Sequence, residues 1–248
     1  MRHGILLTGA SRGLGAALAR TLATKDSDLV CIARQSDETL TLPEGARLAW
    51  VQADLADSAL LELVAERALA ALGTGPFATL TLINNAGTVA PIAPCGHYPQ
   101  SGVEHALALN TLAPMLLCNA FLAWAAGRGA QVRILNISSG AAASAIAGWS
   151  VYGASKAALD HFSRCVAAEQ ASLQDGARVV SLYPGVIDTA MQGEIRAADI
   201  GHFPSRARFD ALKADGALST PEAVAQRIAD FLDSPAFGSE PVADIRKL

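Results

Sequence analysis

Apolar residues recur along this chain in short runs rich in β-branched side chains, and longer stretches with helical spacing separate the runs. Continuous apolar runs are typical of strands buried in a parallel sheet. The pattern predicts strands at residues 4–8, 28–33, 47–52, 79–84, 131–138 and 177–183, and a short seventh at about 241–245. It predicts helices at about 13–25, 58–72, 101–126 and 150–173, and a last helix that opens at Thr220-Pro221-Glu222.

Strands and helices alternate along the whole chain, without a linker or a repeat between them. This alternation predicts an α/β fold: a single doubly wound parallel sheet of the Rossmann type, with about seven strands and helices on both faces. We therefore expect one domain over residues 1–248. The polar stretch at about 187–216 carries no regular pattern and is expected to be irregular. Ligands of such sheets bind where the winding reverses, at the carboxyl ends of the strands.

Composition narrows the kind of protein further. The chain has 248 residues, of which 51% are hydrophobic and 17% charged, and its net charge is -4. An apolar half supplies a large core, whereas the negative charge argues against a nucleic-acid partner. The cysteines form no C-x-x-C pair, which favours unpaired thiols in a reducing compartment. The histidines form no i, i+4 pair and no cluster with acidic residues, so no metal site is expected.

One segment, residues 105–127, has no charged side chain and is long enough to cross a bilayer. Its Asn110, Pro114 and Asn119 favour a helix that is buried in a soluble fold or at a subunit contact. The first residues have only a short apolar stretch before Gly and Arg, unlike a signal peptide. We therefore expect a cytoplasmic protein with no membrane partner. The uncharged helix and the helix that carries Tyr152 are expected to pack against a second copy of the chain across a two-fold axis. This packing would make a homodimer or homotetramer.

The first predicted strand runs directly into a glycine-rich turn, TGASRGLG at residues 8–15, which precedes a helix. Gly9, Gly13 and Gly15 have the spacing G-x-x-x-G-x-G. Glycines permit a sharp turn and let a pyrophosphate approach the helix N-terminus, where free N–H groups and the helix dipole favour anions. The turn predicts a dinucleotide site, and a tight turn that holds no ligand is the alternative.

The charge near this turn predicts which dinucleotide binds. Arg34 ends the second strand 19 residues after Gly15 (34 − 15), where an acidic residue would hold the ribose 2′-hydroxyl of NAD. Arg12 can reach the same region, and two guanidinium groups can hold a 2′-phosphate through bidentate hydrogen bonds. The predicted cofactor is therefore NADP. Asp54, after the third strand, is expected either to accept a hydrogen bond from the adenine amino group or to cap the next helix.

Tyr152 and Lys156 lie four residues apart in the helix after the fifth strand, so they share one face. The ammonium is expected to lower the pKa of Tyr152, which suits general acid catalysis. A serine of NISS (136–139) can hydrogen-bond a carbonyl oxygen as negative charge develops on it. The three groups fit carbonyl reduction, with hydride from nicotinamide and a proton from Tyr152. The small residues of NNAG (84–87) allow a flat ring to lie against the backbone.

The order of these motifs resembles the short-chain dehydrogenase/reductase family. The matching pieces, over about residues 4–190, are TGASRGLG, Asp54, NNAG, Asn110 in LALN, the Ser–Tyr–Lys set and YPGVIDT (183–189). The resemblance implies that Ser139, thirteen residues before Tyr152, is the catalytic serine. It also implies that Lys156 binds the nicotinamide ribose and that Asn110 anchors a water-mediated proton relay. The catalytic set is then Asn110, Ser139, Tyr152 and Lys156.

The same resemblance implies a set of cofactor contacts. Residues 184–186 would pass over the nicotinamide, and Thr189 would bind its carboxamide or the phosphates. The full set is Gly9, Ser11, Arg12, Gly13, Leu14, Gly15, Arg34, Asp54, Leu55, Asn85, Ala86, Gly87, Tyr152, Lys156, Pro184, Gly185, Val186 and Thr189.

Within that family the chain is similar to the group of sepiapterin reductase and the bacterial benzil reductases. GWSVYGASK (148–156), DTAMQGEIR (188–196) and RFDALKADGALSTPE (208–222) carry this similarity. It implies NADPH-dependent reduction of a ketone beside a second oxygenated carbon, such as a vicinal diketone. Residues 188–216 would form a lid that orders over the substrate and excludes water. The implied substrate residues are Ser139, Trp149, Tyr152 and Met191.

The C-terminus departs from the pattern of sepiapterin reductases, which are expected to hold the pterin with an aspartate there. Ala243 stands at the matching position, and Asp244 follows it. A shift of one residue along a strand turns the side chain to the other face. The sequence therefore favours a hydrophobic dicarbonyl over a pterin.

Three other functions fit parts of the sequence. An alcohol dehydrogenase or ketoreductase of the same family with another substrate class would share these motifs. A non-catalytic NADP(H)-binding sensor would share the glycine turn but would be expected to lose the Ser–Tyr–Lys set. GASRG (9–13) matches the nucleophile elbow of α/β-hydrolases, with Ser11, Asp188 and His202 in triad order. That elbow, however, follows several strands in hydrolases and only one strand here.

Overall fold

The computed structural model describes all 248 residues and contains one parallel sheet in the order β3-β2-β1-β4-β5-β6-β7. Its strands are β1 (Arg2–Thr8), β2 (Ser27–Ala33), β3 (Arg47–Gln52), β4 (Phe77–Asn84), β5 (Gln131–Ile137), β6 (Arg178–Tyr183) and β7 (Val242–Asp244). The helices are α1 (Gly13–Leu22), α2 (Leu61–Leu72), α3 (Gln100–Leu107), α4 (Ala113–Ala125), α5 (Ser150–Ala171), α6 (Ala190–Ala197), α7 (Arg206–Ala214) and α8 (Pro221–Asp233). The predicted doubly wound α/β sheet is confirmed.

Two apolar cores lie on the two faces of the sheet. Successive side chains of a strand point to opposite faces, so Ile5 and Leu7 join one core while Leu6 joins the other. Helices α1 and α8 cover the first core, and α2, α4 and α5 cover the second. Because both faces are covered, the inner strands need apolar side chains at every position, which explains the continuous runs in the sequence.

The winding of the chain reverses between β1 and β4, which pair at the middle of the sheet. Strands β2 and β3 continue to one side of β1, and β5, β6 and β7 to the other side of β4. Thr8, at the end of β1, joins the two turns: its Oγ1 accepts hydrogen bonds from Asn85 N (2.9 Å) and Ala86 N (3.0 Å). The Asn85 side chain in turn donates to Thr8 O (3.0 Å). These hydrogen bonds fix the starting points of the loops after β1 and β4, and the two loops diverge from there.

The helix predicted at 101–126 is a helical run, Gln100–Ala125, that a π-helical turn at Ala108–Leu112 divides into α3 and α4. The run has a mean hydropathy of 1.6 and is long and apolar enough to cross a membrane. Core helices of soluble proteins can have the same length and hydropathy. One face, including Leu117 and Phe121, packs in the second core. Leu107, Leu112 and Leu116 are exposed on the other face. Burial within the fold is thus confirmed for one face only.

The stretch at 187–216 was expected to be irregular, and this expectation is wrong. It forms two short helices, α6 and α7. Ile195, Phe203 and Phe209 from this stretch are buried in a third, smaller apolar cluster together with Trp149 and Tyr152. Contacts with those aromatic side chains hold the two helices, whose own sequence is too polar to predict them.

Candidate active site

A cleft of about 1100 Å³ opens at the carboxyl ends of the strands, above the junction of β1 and β4. All the predicted cofactor and substrate residues line it, and so do Ser139, Tyr152 and Lys156 of the predicted catalytic set. Asn110 is the single predicted site residue that does not. The topology therefore gathers at one edge of the sheet predicted residues that are up to 182 positions apart in sequence (Gly9 and Met191, 191 − 9).

The glycine turn forms one end of the cleft. No side chain caps the N-terminus of α1, so the N–H groups of its first turn are available to an anion. Gly9 and Gly13 have φ values of +68° and +56°, which favour glycine, and a Cβ at Gly15 would lie 2.0 Å from Gly9 O. A Cβ at Gly13 would lie 3.2 Å from the Thr189 methyl group, so the loop after β6 closes over the turn. This cradle fits a dinucleotide pyrophosphate.

Two arginines stand free beside the turn. Arg12 and Arg34 are exposed at the cleft, and none of the salt bridges in the structure uses either of them. Asp54 also lines the cleft, and its Oδ1 accepts a hydrogen bond from Ala56 N (3.0 Å). The residue that caps the following helical turn is Asp57, so the capping role considered for Asp54 is wrong. Asp54 orders the turn after β3.

Ser139, Tyr152 and Lys156 meet where the end of β5 faces α5. The hydroxyl of Ser139 accepts a hydrogen bond from Ala141 N (3.2 Å) and lies close enough to Tyr152 to lower the pKa of its phenol. Lys156 is 5% exposed, and its Nζ donates to Ile137 O (2.8 Å). The choice of Ser139 over Ser138 fits this geometry, because the Ser138 hydroxyl is buried and faces Lys156 O (3.5 Å).

Burial controls the ionisation of this group. It raises the pKa of Tyr152, and the nearby hydroxyl of Ser139 offsets only part of the rise. The expectation that Lys156 lowers the pKa of Tyr152 is therefore wrong for this structure, where the ammonium donates to a backbone carbonyl and desolvation is the larger effect. Burial lowers the pKa of Lys156 to about 8. The negative charge of Asp160 has the opposite, smaller effect and raises this pKa. At neutral pH the phenol is protonated and Lys156 is mostly charged.

Asn110 lies in the π-helical turn beneath the cleft and is fully buried. Its Oδ1 accepts from Thr88 N (2.8 Å), and its Nδ2 donates to Thr88 O (2.8 Å) and to Ser155 Oγ (3.0 Å). A Cβ at Gly87 would lie 3.1 Å from Asn110 Oδ1 and 3.5 Å from Lys156 Nζ. Asn110 therefore ties the loop after β4 to α5. Ser155 carries no recognisable signal in the sequence, because it stands at a spacer position of Tyr-x-x-x-Lys.

The other end of the cleft has an aromatic wall. The Trp149 ring centroid lies 5.3 Å from that of Tyr152, 4.9 Å from Phe203 and 5.3 Å from Phe209. Trp149 is thus both a core aromatic and a residue of the cleft. Gln192, which the sequence did not single out, also lines the cleft, and its Oε1 is buried without a hydrogen-bond partner.

The C-terminus reaches the cleft through a residue that the sequence did not single out. Arg246 lines the cleft, and a Cβ at Gly185 would lie 3.5 Å from its side chain. Asp244 forms an ion pair with Arg246 (2.9 and 2.6 Å) and does not line the cleft. Its carboxylate is therefore engaged outside the cleft.

The alternative hydrolase triad is not assembled. Asp188 pairs with Lys213 (2.6 Å), and the ring of His202 lies against that of His97, with centroids 5.2 Å apart. Of the three predicted members, only Ser11 lines the cleft. The α/β-hydrolase alternative is excluded on this geometry.

The short chain dehydrogenase family matches residues 3–200 of this sequence. The chain belongs to this family. A benzil reductase ((S)-benzoin forming) of Bacillus cereus is 34% identical over 240 residues, which cover 96% of each chain. A sepiapterin reductase of Meriones unguiculatus is 32% identical over 247 residues, covering 94% of this chain and 92% of that one. A crystal structure of a short-chain dehydrogenase/reductase from Burkholderia vietnamiensis matches with a TM-score of 0.66 and 34% identity over both whole chains.

These similarities confirm the resemblance to the benzil and sepiapterin reductases. The chain is an oxidoreductase of a family that binds nicotinamide cofactors, and its reductase relatives act on small molecules.

Proposed function

We propose that this protein is an NADPH-dependent carbonyl reductase whose substrate is a ketone, with vicinal diketones and related dicarbonyls as its class. The observation that carries the proposal is the buried Tyr152 phenol. It shares a cleft with Ser139, Lys156 and the uncapped N-terminus of α1. NADPH, when bound, supplies the hydride. A non-catalytic cofactor-binding protein would have no use for this buried phenol.

Tyr152 gives its proton to the ketone oxygen as that oxygen gains negative charge. Its raised pKa keeps the phenol protonated until the transfer. Ser139, which lines the cleft beside Tyr152, donates to the same oxygen and stabilises the developing charge. Lys156 binds the cofactor ribose and offers a positive charge close to the phenolate that remains. Asn110 holds the loop after β4 in place and anchors the water-mediated relay that returns a proton to Tyr152.

The sign of charge beside the glycine turn supports NADPH over NADH. Arg12 and Arg34 have no acidic partner, and a 2′-phosphate would give them one. Ser11, Leu14, Leu55, Ala86 and the loop 184–186 complete the cofactor contacts that the family resemblance implies.

The aromatic wall supports a hydrophobic dicarbonyl as substrate. Trp149 and Met191 line the cleft with Phe209, and aromatic faces favour aryl groups such as those of benzil. The pairing of Asp244 with Arg246 argues against pterin binding through that carboxylate. Residues 188–216, which supply Met191 and Phe209, form the lid over this end of the cleft. A ketoreductase acting on another substrate class remains the alternative.

We further propose a homodimer or homotetramer in the cytoplasm. Leu112 and Leu116 are exposed on α4 and its π-helical turn, on a helical run without charged residues after Glu104. A second copy would remove this apolar surface from water.

Tyr152→Phe should lower turnover of benzil by NADPH by about a hundredfold to ten-thousandfold, because the general acid is lost. NADPH binding, measured by fluorescence titration, should stay close to that of the wild type. Tyr98→Phe is the control, since this phenol contacts Ser150 (3.4 Å) and does not line the cleft. Near-normal turnover by Tyr152→Phe, or no oxidation of NADPH by the wild type with any dicarbonyl, would contradict the proposal.

Arg34→Asp should raise the KM for NADPH by about tenfold to a hundredfold, because charge-assisted hydrogen bonds are worth about 1.5–3 kcal/mol. The KM for NADH should fall or stay level, so the preference shifts toward NADH. Arg67→Asp makes the same charge change on an exposed position of α2 and should leave the ratio of the two KM values unchanged. An unaltered ratio in Arg34→Asp would show that Arg34 does not reach the 2′-phosphate.

Phe209→Leu should lower kcat/KM for benzil by about twofold to tenfold, since an aromatic pair is worth about 0.5–1.5 kcal/mol beyond its buried area. The value for butane-2,3-dione, which has no aryl group, should change less. Phe231→Leu is the matched control, because Phe231 is equally buried, at 6% exposure, but lies in the first core. Equal losses for both diketones would count against an aryl contact at Phe209.

The mass in solution tests the oligomer. Light scattering should give the mass of two or four chains, and Leu112→Ser with Leu116→Ser should reduce it. A monomeric wild type at micromolar concentration would refute this part of the proposal.

A further inference from the structure

A buried carboxylate lies beneath the candidate active site, outside the predicted catalytic set. Asp160 is 5% exposed and stands one helical turn after Lys156 on α5. Its two oxygens accept hydrogen bonds from two hydroxyl groups of β6: Ser181 Oγ donates to Oδ1 (2.6 Å), and Tyr183 Oη donates to Oδ2 (2.5 Å). Asp160 thus connects the middle of α5 to the last residues of β6.

The two hydroxyl donors do not neutralise this carboxylate. Burial and the hydrogen bond to Asp160 raise the pKa of Tyr183, so this phenol stays protonated and remains a neutral donor. A buried carboxylate is stable only when a cation or several hydrogen bonds compensate it. Residues four apart lie on the same face of a helix. Lys156, four residues before Asp160, is therefore the buried cation on the face of α5 that carries this carboxylate.

Other ionisable groups around this pair are engaged elsewhere or lie toward solvent. On α5, Tyr152 is protonated and Arg164 is exposed. At β7, Asp244 is paired with Arg246. On α3, His105 lies at the cleft and is exposed, and on α4 burial raises the pKa of Cys118 to about 12, so its thiol is neutral. The charge of Asp160 raises the pKa of Lys156 and so favours the ammonium.

We propose that Asp160 is a positioning residue for Lys156: its buried carboxylate keeps the ammonium charged beneath the cleft, and its hydrogen bond to Tyr183 fixes the end of β6. Residues 184–186 continue from that end along the cleft. The inference rests on the proposed function, in which Lys156 acts as a cation beside Tyr152. Without Asp160, the lowering of the Lys156 pKa by burial would be unopposed by this charge.

The titration of Lys156 tests this proposal without cofactor or substrate. The chain has four lysines, and Lys25, Lys213 and Lys247 are exposed. In protein labelled with ¹³C-lysine, the NMR signal of Lys156 should therefore titrate well below the other three, and Lys156→Met assigns it. Asp160→Asn should move its midpoint to lower pH by about one unit or more, because an opposite charge is removed from a buried pair. An unmoved midpoint would overturn the proposal.

Two further variants separate charge from packing. Asp233→Asn makes the same change at an exposed carboxylate, paired with Arg133, and should leave the midpoint of Lys156 in place. Ser181→Ala combined with Tyr183→Phe removes both hydrogen bonds to Asp160 but keeps its charge, so the midpoint should stay level or rise. A fall in this double variant would overturn the proposal, and it provides the test if Asp160→Asn does not fold.

The pH profile of kcat connects the titration to turnover. If Lys156 must be charged, the alkaline limb of kcat for benzil reduction should move to lower pH in Asp160→Asn by as much as the NMR midpoint does. A moved midpoint with an unmoved limb would support the role of Asp160 and contradict that of Lys156 in the proposed function. A wild type that does not reduce ketones would leave the NMR result standing.

Discussion

Parallel pairing of β1 with β4 determines where every residue of the cleft lies. The chain winds away from this pair in both directions, so the loops after β1 and β4 separate above a common base. Thr8 fixes that base with two hydrogen bonds to the turn after β4. The glycine turn, NNAG and the side chains of Tyr152 and Lys156 on α5 therefore line one cleft although they are far apart in sequence. The cleft is a consequence of topology, and local sequence only supplies its chemistry.

Low polarity around α5 governs the chemistry of the cleft. Burial favours the neutral forms of both Tyr152 and Lys156, which suits the phenol as a proton donor and opposes the ammonium. The two groups therefore need different partners. The Ser139 hydroxyl lowers the pKa of the phenol, and the negative charge of Asp160 raises the pKa of Lys156. The helix orders these groups in successive turns, from Tyr152 through Lys156 to Asp160.

Sequence alone predicted the strands well because buried parallel strands need uninterrupted apolar runs, and such runs are visible without a structure. It located the cofactor turns because they follow strands, and it located Tyr152 and Lys156 by their spacing on one helix. It missed α6 and α7, whose stability comes from contacts with Trp149 rather than from their own pattern. It also missed Ser155 and Asp160, whose hydrogen-bond partners Asn110, Ser181 and Tyr183 are distant in sequence. The direction of the Tyr152 pKa was wrong because spacing reports neighbours but does not report desolvation.

A crystal structure of the protein with NADP and benzil would show directly whether Tyr152 can protonate the ketone. We expect the Tyr152 oxygen within hydrogen-bond distance, about 2.5–3.0 Å, of a ketone oxygen, with Ser139 donating to the same atom. We also expect the 2′-phosphate between Arg12 and Arg34. A Tyr152 oxygen directed away from the diketone, with another group hydrogen-bonded to the reacting carbonyl, would contradict the proposed role of Tyr152.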